Sequence, residues 1–174
     1  MKDYAVLERN LGYSFQDKKL LAHALTHSSY ASEHDLAYSE NNERLEFIGD
    51  AYLDAIIGNK LYEVMPNLPE GVLSKTRANI VCERSLATIA RNIGLGDFLF
   101  LGNGEEMYGG REKDSILADA VEAIIGAIIR ESGYDCADRV GLKLFEENIL
   151  LALQGKLYHD YKTALQEKLQ ERYK

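Results

Sequence analysis

Apolar residues recur at three- and four-residue spacings along nearly the whole chain, and strict alternation of apolar and polar positions is nearly absent. That pattern predicts an all-α fold. A first helix is expected over Asp3–Leu11, closed by Gly12, and a second over Asp17–Leu25, with Leu20, Leu21 and Leu25 facing inward. The polar stretch from Thr26 to Asn42 reads as a loop. A long helix should start at Asn42 or Glu43, with Asn42 as its N-cap and Glu43 at the positive end of the helix dipole, and end before Pro66. Residues 65–71, which hold Pro66 and Pro69, form a turn. Further helices are expected over Val72–Val81, Glu83–Ile93, Asp114–Glu131 and Asp135–Leu153, separated by glycine-bearing breaks at 94–96, 102–110 and 133.

A chain of 174 residues is long enough for one well-buried domain and a short appendage. The longest apolar stretch, Leu117–Ile129, is interrupted by Asp119 and Glu122, so it reads as a core helix and no membrane span is expected. The N-terminus lacks the basic start and apolar block of a secretory signal, which places the expected location in the cytoplasm. Cys82 and Cys136 lack CxxC spacing and are expected as reduced thiols.

Charge enters the picture through where the acids stand. Glu46 and Asp50 lie at i and i+4 on the long helix, and Glu43 lies one turn before Glu46. Their neighbours are apolar: Leu45, Ile48, Tyr52 and Ile56 form one stripe, while Leu53 and Ile57 continue the face that carries the acids. Protein is therefore expected to cover that helix along most of its length. The helix around Ile116–Ile129 is apolar all round apart from Asp119 and Glu122, which share a face at i and i+3. Carboxylates set among Ala, Val, Ile and Leu must be neutralised by protons, by basic side chains or by a metal. Four hard oxygen donors without a His or Cys partner suit Mg²⁺, with Mn²⁺ as a substitute, and such sites commonly serve phosphoryl transfer. The net charge of −8 argues against a protein whose task is to coat phosphate backbones. It does not exclude a nuclease, because bound divalent cations reverse the local potential.

The segment Asn42-Glu-Arg-Leu-Glu-Phe-Ile-Gly-Asp-Ala-Tyr-Leu53 closely resembles the signature of the ribonuclease III family, and Ser115–Gly126 resembles that family's second acidic helix. Leu25–Tyr30 and Glu70–Ala78 are similar to two further segments in the same order, so the likeness spans about the first 150 residues. The resemblance implies a helical endonuclease domain that works as a homodimer on double-stranded RNA, leaving 5′-phosphate and 3′-hydroxyl ends, with roles in rRNA and mRNA processing. It implies Glu46, Asp50, Asp119 and Glu122 as metal ligands, Asp50 and Glu122 as catalytic, and Phe47 at the subunit junction. Glu43 and Glu70 match acids tied to dimer contacts or substrate positioning. Asp54, one turn beyond Asp50, receives no role.

Two other readings stay open on the residues alone. An all-α Mg²⁺-dependent nucleotide pyrophosphohydrolase would use Glu43-x-x-Glu46, although its second acidic pair should follow much sooner than Asp119. A non-catalytic RNA-binding homologue would keep the fold, but the presence of all four acids argues against it. The expected organisation is a catalytic domain over 1–153, a linker over 154–158, and over 159–174 a segment that looks like the first helix of a double-stranded-RNA-binding domain. The main grip on RNA would then belong to the rest of that second domain, with local help from Lys75, Arg77, Arg111 and Lys113.

Overall fold

The computed structural model describes residues 3–157, so the expected RNA-binding helix over 159–174 lies outside the described residues. Among the described residues the fold consists of ten α-helices and three short 3-10 turns, with no strand. The all-α expectation holds. The elements are α1 (Ala5–Leu11), α2 (Lys18–Ala24), α3 (Ser28–Glu33), α4 (Glu43–Val64), α5 (Glu70–Ile80), α6 (Glu83–Asn92), α7 (Asn103–Met107), α8 (Asp114–Ser132), α9 (Tyr134–Leu144) and α10 (Glu146–Leu153).

Helix α8 is the axis of the bundle. Ile116, Leu117, Ala118, Ala120, Val121 and the run from Ala123 to Ile128 are all buried, as expected of a helix that is apolar nearly all round. Its most extensive partner is α4, followed by α6. Leu53, Ile56, Ile57 and Leu61 of α4 are buried to 1% exposure or less in the same core.

Four expectations are corrected. The stretch 26–42 is not only loop: it holds α3 and a 3-10 turn at Tyr38–Glu40. Helix α3 starts because the His27 ring nitrogen accepts the Ser29 N–H at 3.2 Å, a cap that hydrophobic periodicity does not reveal. The glycine-bearing break at 102–110 likewise holds α7, whose start is fixed by the Glu33 carboxylate accepting the N–H of Asn103 at 2.8 Å. The helix expected over Asp135–Leu153 is two, because the chain bends at Phe145 and sends that ring wholly into the core. Finally, α4 is covered on one side only. Phe47 is 77% exposed and Tyr62 73%, while Tyr52, 38% exposed, meets the ring of Tyr134 at the start of α9 with centroids 5.7 Å apart.

The start of α4 is also subtler than expected. Asn42 occupies the N-cap position, yet the side chain that accepts the Glu43 N–H, at 3.1 Å, is that of Asn41. The Asn42 N–H donates to the carbonyl of Thr26 at 2.8 Å, which ties the head of α4 to the 26–29 segment. That segment pairs with the chain at Phe100 through a single parallel bridge.

Candidate active site

The acids meet because two helices touch backbone to backbone. Gly49 of α4 and Gly126 of α8 sit where the helices cross: a Cβ built on Gly49 would stand 1.8 Å from the Glu122 carbonyl oxygen, and one on Gly126 would stand 2.1 Å from that of Leu45. Glu46 lies three residues before Gly49, and Glu122 four before Gly126, so each projects one turn from the contact. One carboxylate oxygen each from Glu46, Asp119 and Glu122 falls within a 4.8 Å group.

All three are partly buried, and none keeps an ordinary carboxylate pKa. Burial, then the Asp119, Glu43 and Asp50 charges, pushes Glu46 up to about 7. Burial, then Asp50, Glu46, Asp119 and Asp54, pushes Glu122 up to about 8. Asp119 is raised as well, chiefly by burial, with His27 opposing the shift. The charges that act most strongly on Glu122 are thus four more carboxylates. A divalent cation would relieve both burial and repulsion, and the all-oxygen donor set is the kind that Mg²⁺ and Mn²⁺ prefer. The residues fit such an ion.

Asp50 stands apart from this trio. It is exposed, and its charge reaches both Glu46 and Glu122 from the solvent side. Glu43 flanks the trio at the first turn of α4, where it accepts the hydroxyl of Tyr38 and raises both Glu46 and Asp119. Glu70 is not brought to the group; it is the exposed first residue of α5 and accepts the Ser74 hydroxyl. Phe47 lines a cleft of about 650 Å³ together with Leu20, His23, Tyr38, Glu43, Leu45 and Ile48.

Two residues acquire surroundings that the pattern did not foretell. The charge of His27 acts on Asp119, and its Nδ1 is held by the Ser29 hydroxyl at 2.8 Å, which itself accepts the Gly102 N–H at 2.9 Å. Only the likeness of Leu25–Tyr30 to a family segment pointed there. Asp54 faces Arg77, with Nε 3.4 Å from Oδ1. Of the other basic residues considered, Arg111 is engaged by Glu106 and by the carbonyls of Gly96 and Leu99, and Lys113 by Glu105.

An all-α frame with a half-buried carboxylate trio at a helix crossing is compatible with an acid-centred phosphodiester enzyme. A family profile described as Ribonuclease-III-like matches residues 17–160. The chain is 52% identical over 164 residues to Ribonuclease 3 of Caldanaerobacter subterraneus subsp. tengcongensis, a match covering 94% of this chain and 72% of that protein. It is 50% identical over 167 residues to Ribonuclease 3 of Campylobacter jejuni strain RM1221, covering 96% and 72%. Among solved structures, two of the nuclease domain of ribonuclease III from Campylobacter jejuni superpose with a TM-score of 0.78 each. They share 49% and 50% identity, and cover 84% and 85% of this chain and 98% and 97% of theirs. The first is described as flexible in a region involved in dimer formation. The chain belongs to the ribonuclease III family and is an endoribonuclease. No helix among the described residues is long and apolar enough to cross a membrane.

Proposed function

We propose that this protein cleaves double-stranded RNA by Mg²⁺-dependent phosphodiester hydrolysis, with Mn²⁺ able to substitute, leaving 5′-phosphate and 3′-hydroxyl ends. The observation that carries the reading is the convergence of Glu46, Asp119 and Glu122 within one 4.8 Å group at the crossing of α4 and α8. Those three carboxylates hold the cation, and Asp50 completes the donor set from the exposed edge where a phosphate can approach. When bound, the cation neutralises phosphate charge and makes a nearby water more acidic. Burial keeps Glu46 and Glu122 partly protonated near neutral pH, so they release protons as they become ligands. Asp50 and Glu122 are the catalytic pair, facing the scissile phosphate from the solvent side and from the helix crossing respectively.

The protein acts as a homodimer joined through Phe47, whose ring is 77% exposed in the single chain. Glu43 and Glu70 serve the dimer or the substrate at the margins of the site. A symmetric pair of sites would cut both strands of a duplex that is recognised by its A-form shape and 2′-hydroxyls. Processing of rRNA and mRNA precursors in the cytoplasm is the corresponding cellular role. Residues 1–153 form the catalytic domain, 154–158 a linker, and 159–174 the start of an RNA-binding domain.

The test is cleavage of a long RNA duplex at low salt by the wild type and by Glu122→Gln. The wild type should cut with Mg²⁺ or Mn²⁺, while the variant binds the duplex and leaves it whole. A wild type that binds the duplex but cuts it with neither ion overturns the reading.

A further inference from the structure

Asp54 entered the fold without an assigned role, and its partner supplies one. Glu46, Asp50, Asp54 and Gly58 follow one another at four-residue steps along α4, so they form a continuous row that winds slowly round the helix. Arg77 of α5 lies across the far end of that row. A Cβ on Gly58 would be 3.7 Å from both Cδ and Nη1 of Arg77, and the guanidinium turns back toward the acids, where Nε meets the Asp54 carboxylate at 3.4 Å. Asp54 stands one turn from Asp50 in that row, and its charge adds the last and smallest of the upward pushes on Glu122. The fold therefore brings a cation to within one helical turn of Asp50 and fastens it there.

Stapling α5 to α4 does not account for the pair. Arg77 is 39% exposed and Asp54 41%, and ion pairs so accessible to water contribute little to stability. The pair does meet a need of the chemistry. A phosphate strand approaching the trio, Asp50 and Asp54 meets strong repulsion, which the cation held by the trio offsets only in part. A guanidinium carries five N–H donors in a fork that matches phosphate oxygens, and one carboxylate does not use them all.

We propose that Arg77 is a substrate-binding residue: held by Asp54 at the exposed edge of the acid site, its guanidinium takes a backbone phosphate of the RNA strand being cut. The assignment rests on the duplex-cleavage reading above and adds to it a specific contact with the strand.

The experiment measures steady-state cleavage of a defined RNA duplex across a series of monovalent salt concentrations, for wild type, Arg77→Gln, Arg77→Lys, Asp54→Asn and the double variant Asp54→Asn/Arg77→Gln. Arg77→Gln should raise KM about tenfold while kcat at saturating duplex stays within about threefold, and the slope of log KM against log salt should fall by about one phosphate contact. Arg77→Lys should restore the salt slope but only part of the affinity, because an ammonium lacks the fork. Asp54→Asn should raise KM less than Arg77→Gln does, and the double variant should be no worse than Arg77→Gln alone, since both changes remove one contact. Thermal melts identify any variant that folds poorly; if Arg77→Gln does, the KM of Arg77→Lys at unchanged Tm decides. Wild type that cleaves while the Arg77 variants keep its KM and salt slope overturns this inference alone. Wild type that cleaves no duplex with Mg²⁺ or Mn²⁺ overturns the parent reading, and this one with it.

Discussion

Gly49 and Glu122 touch through the backbone: the space a Gly49 side chain would need is held by the Glu122 carbonyl, 1.8 Å from where its Cβ would be. Gly126 repays the contact against Leu45 at 2.1 Å. Two helices that each carry acids are thereby pressed together at the level of those acids. Repulsion between carboxylates opposes this approach, and the apolar burial along α4 and α8 overcomes it. The site is thus built by packing that holds like charges at close range.

Gly49→Ala should therefore be among the most damaging single changes available. Distances of 1.8 Å are far inside contact, and the obstacle is backbone, so the helices must separate or shift rather than a side chain rotate. A loss on the order of 3 kcal/mol or more is expected in urea unfolding, at the upper end of overpacking costs. Gly126→Ala should behave alike. Any folded fraction should bind Mn²⁺ more weakly, because Glu46 and Glu122 move apart with their helices. Near-wild-type stability in both variants would show that the crossing is looser than described.

The raised carboxylates set the pH dependence. Glu122 has a folded value of about 8 and Glu46 about 7, against 4.5 ordinarily, so between about pH 4.5 and 8 the metal-free native state holds protons that the unfolded chain has released. Stability contributed by these protonated groups is full below the ordinary value and is lost as pH rises through the folded values. Metal-free protein should accordingly melt lower at pH 8 than at pH 5.5. Glu122→Gln should remove most of that fall, raising the metal-free Tm at pH 8 by about 2–4 °C. Mg²⁺ acts in the opposite sense, since it binds the ionised form, and should raise the wild-type Tm more at pH 8 than at pH 6. A Glu122→Gln variant whose melting follows pH as the wild type does would show that Glu122 is not held protonated.

How much of this was legible beforehand depended on whether a feature leaves a periodic trace. The two acidic pairs stood out because charges interrupted long apolar helices, and those helices formed close to the expected bounds, Glu43–Val64 and Asp114–Ser132. Helices α3 and α7 left no such trace, being six and five residues long and started by the side chains of His27 and Glu33. The bend at Phe145 was hidden because an apolar residue fits either a continuous helix or a corner turned into the core. Convergence of the pairs was inferable only from shared chemistry. What produces it, the Gly49–Gly126 crossing, pairs residues 77 positions apart, and nothing local in either helix announces it. Asp50 shows the converse limit: spacing put it beside Glu46, yet it lies at the exposed edge, outside the three-oxygen group.

A stability control is the contact between α6 and α10. The Asn148 side-chain amide donates to the Ser85 hydroxyl at 2.6 Å, with Ser85 fully buried and Asn148 9% exposed. Ser85→Ala leaves that amide unpartnered in the core and should cost about 1–3 kcal/mol. Its cleavage rate, measured well below the lowered Tm, should match wild type. A large loss of rate in protein that is still folded would mean that α6 and α10 act on the site.

Phe47 offers the sharpest separation between folding and assembly. Its neighbours on α4 divide between the buried Leu45 and Gly49 and the half-buried Glu46 and Ile48, while its own ring remains 77% exposed beside a largely apolar cleft. An aromatic so placed contributes little to the fold of one chain, because most of its surface stays in water. If a second copy covers it, the ring is an anchor of the kind whose truncation costs an interface 2 kcal/mol or more, in the range of about thirtyfold in Kd. Phe47→Ala should shift the dimer–monomer equilibrium by at least about tenfold in sedimentation velocity, while circular dichroism of the monomer stays unchanged. Phe47→Asp should go further, since dimerisation would then bury a charge on each side. Duplex cleavage should fall in step with the dimer population and recover at high protein concentration for Phe47→Ala, as an assembly defect requires and a damaged active site does not. A Phe47→Asp protein that sediments as the wild type does would remove Phe47 from the subunit junction.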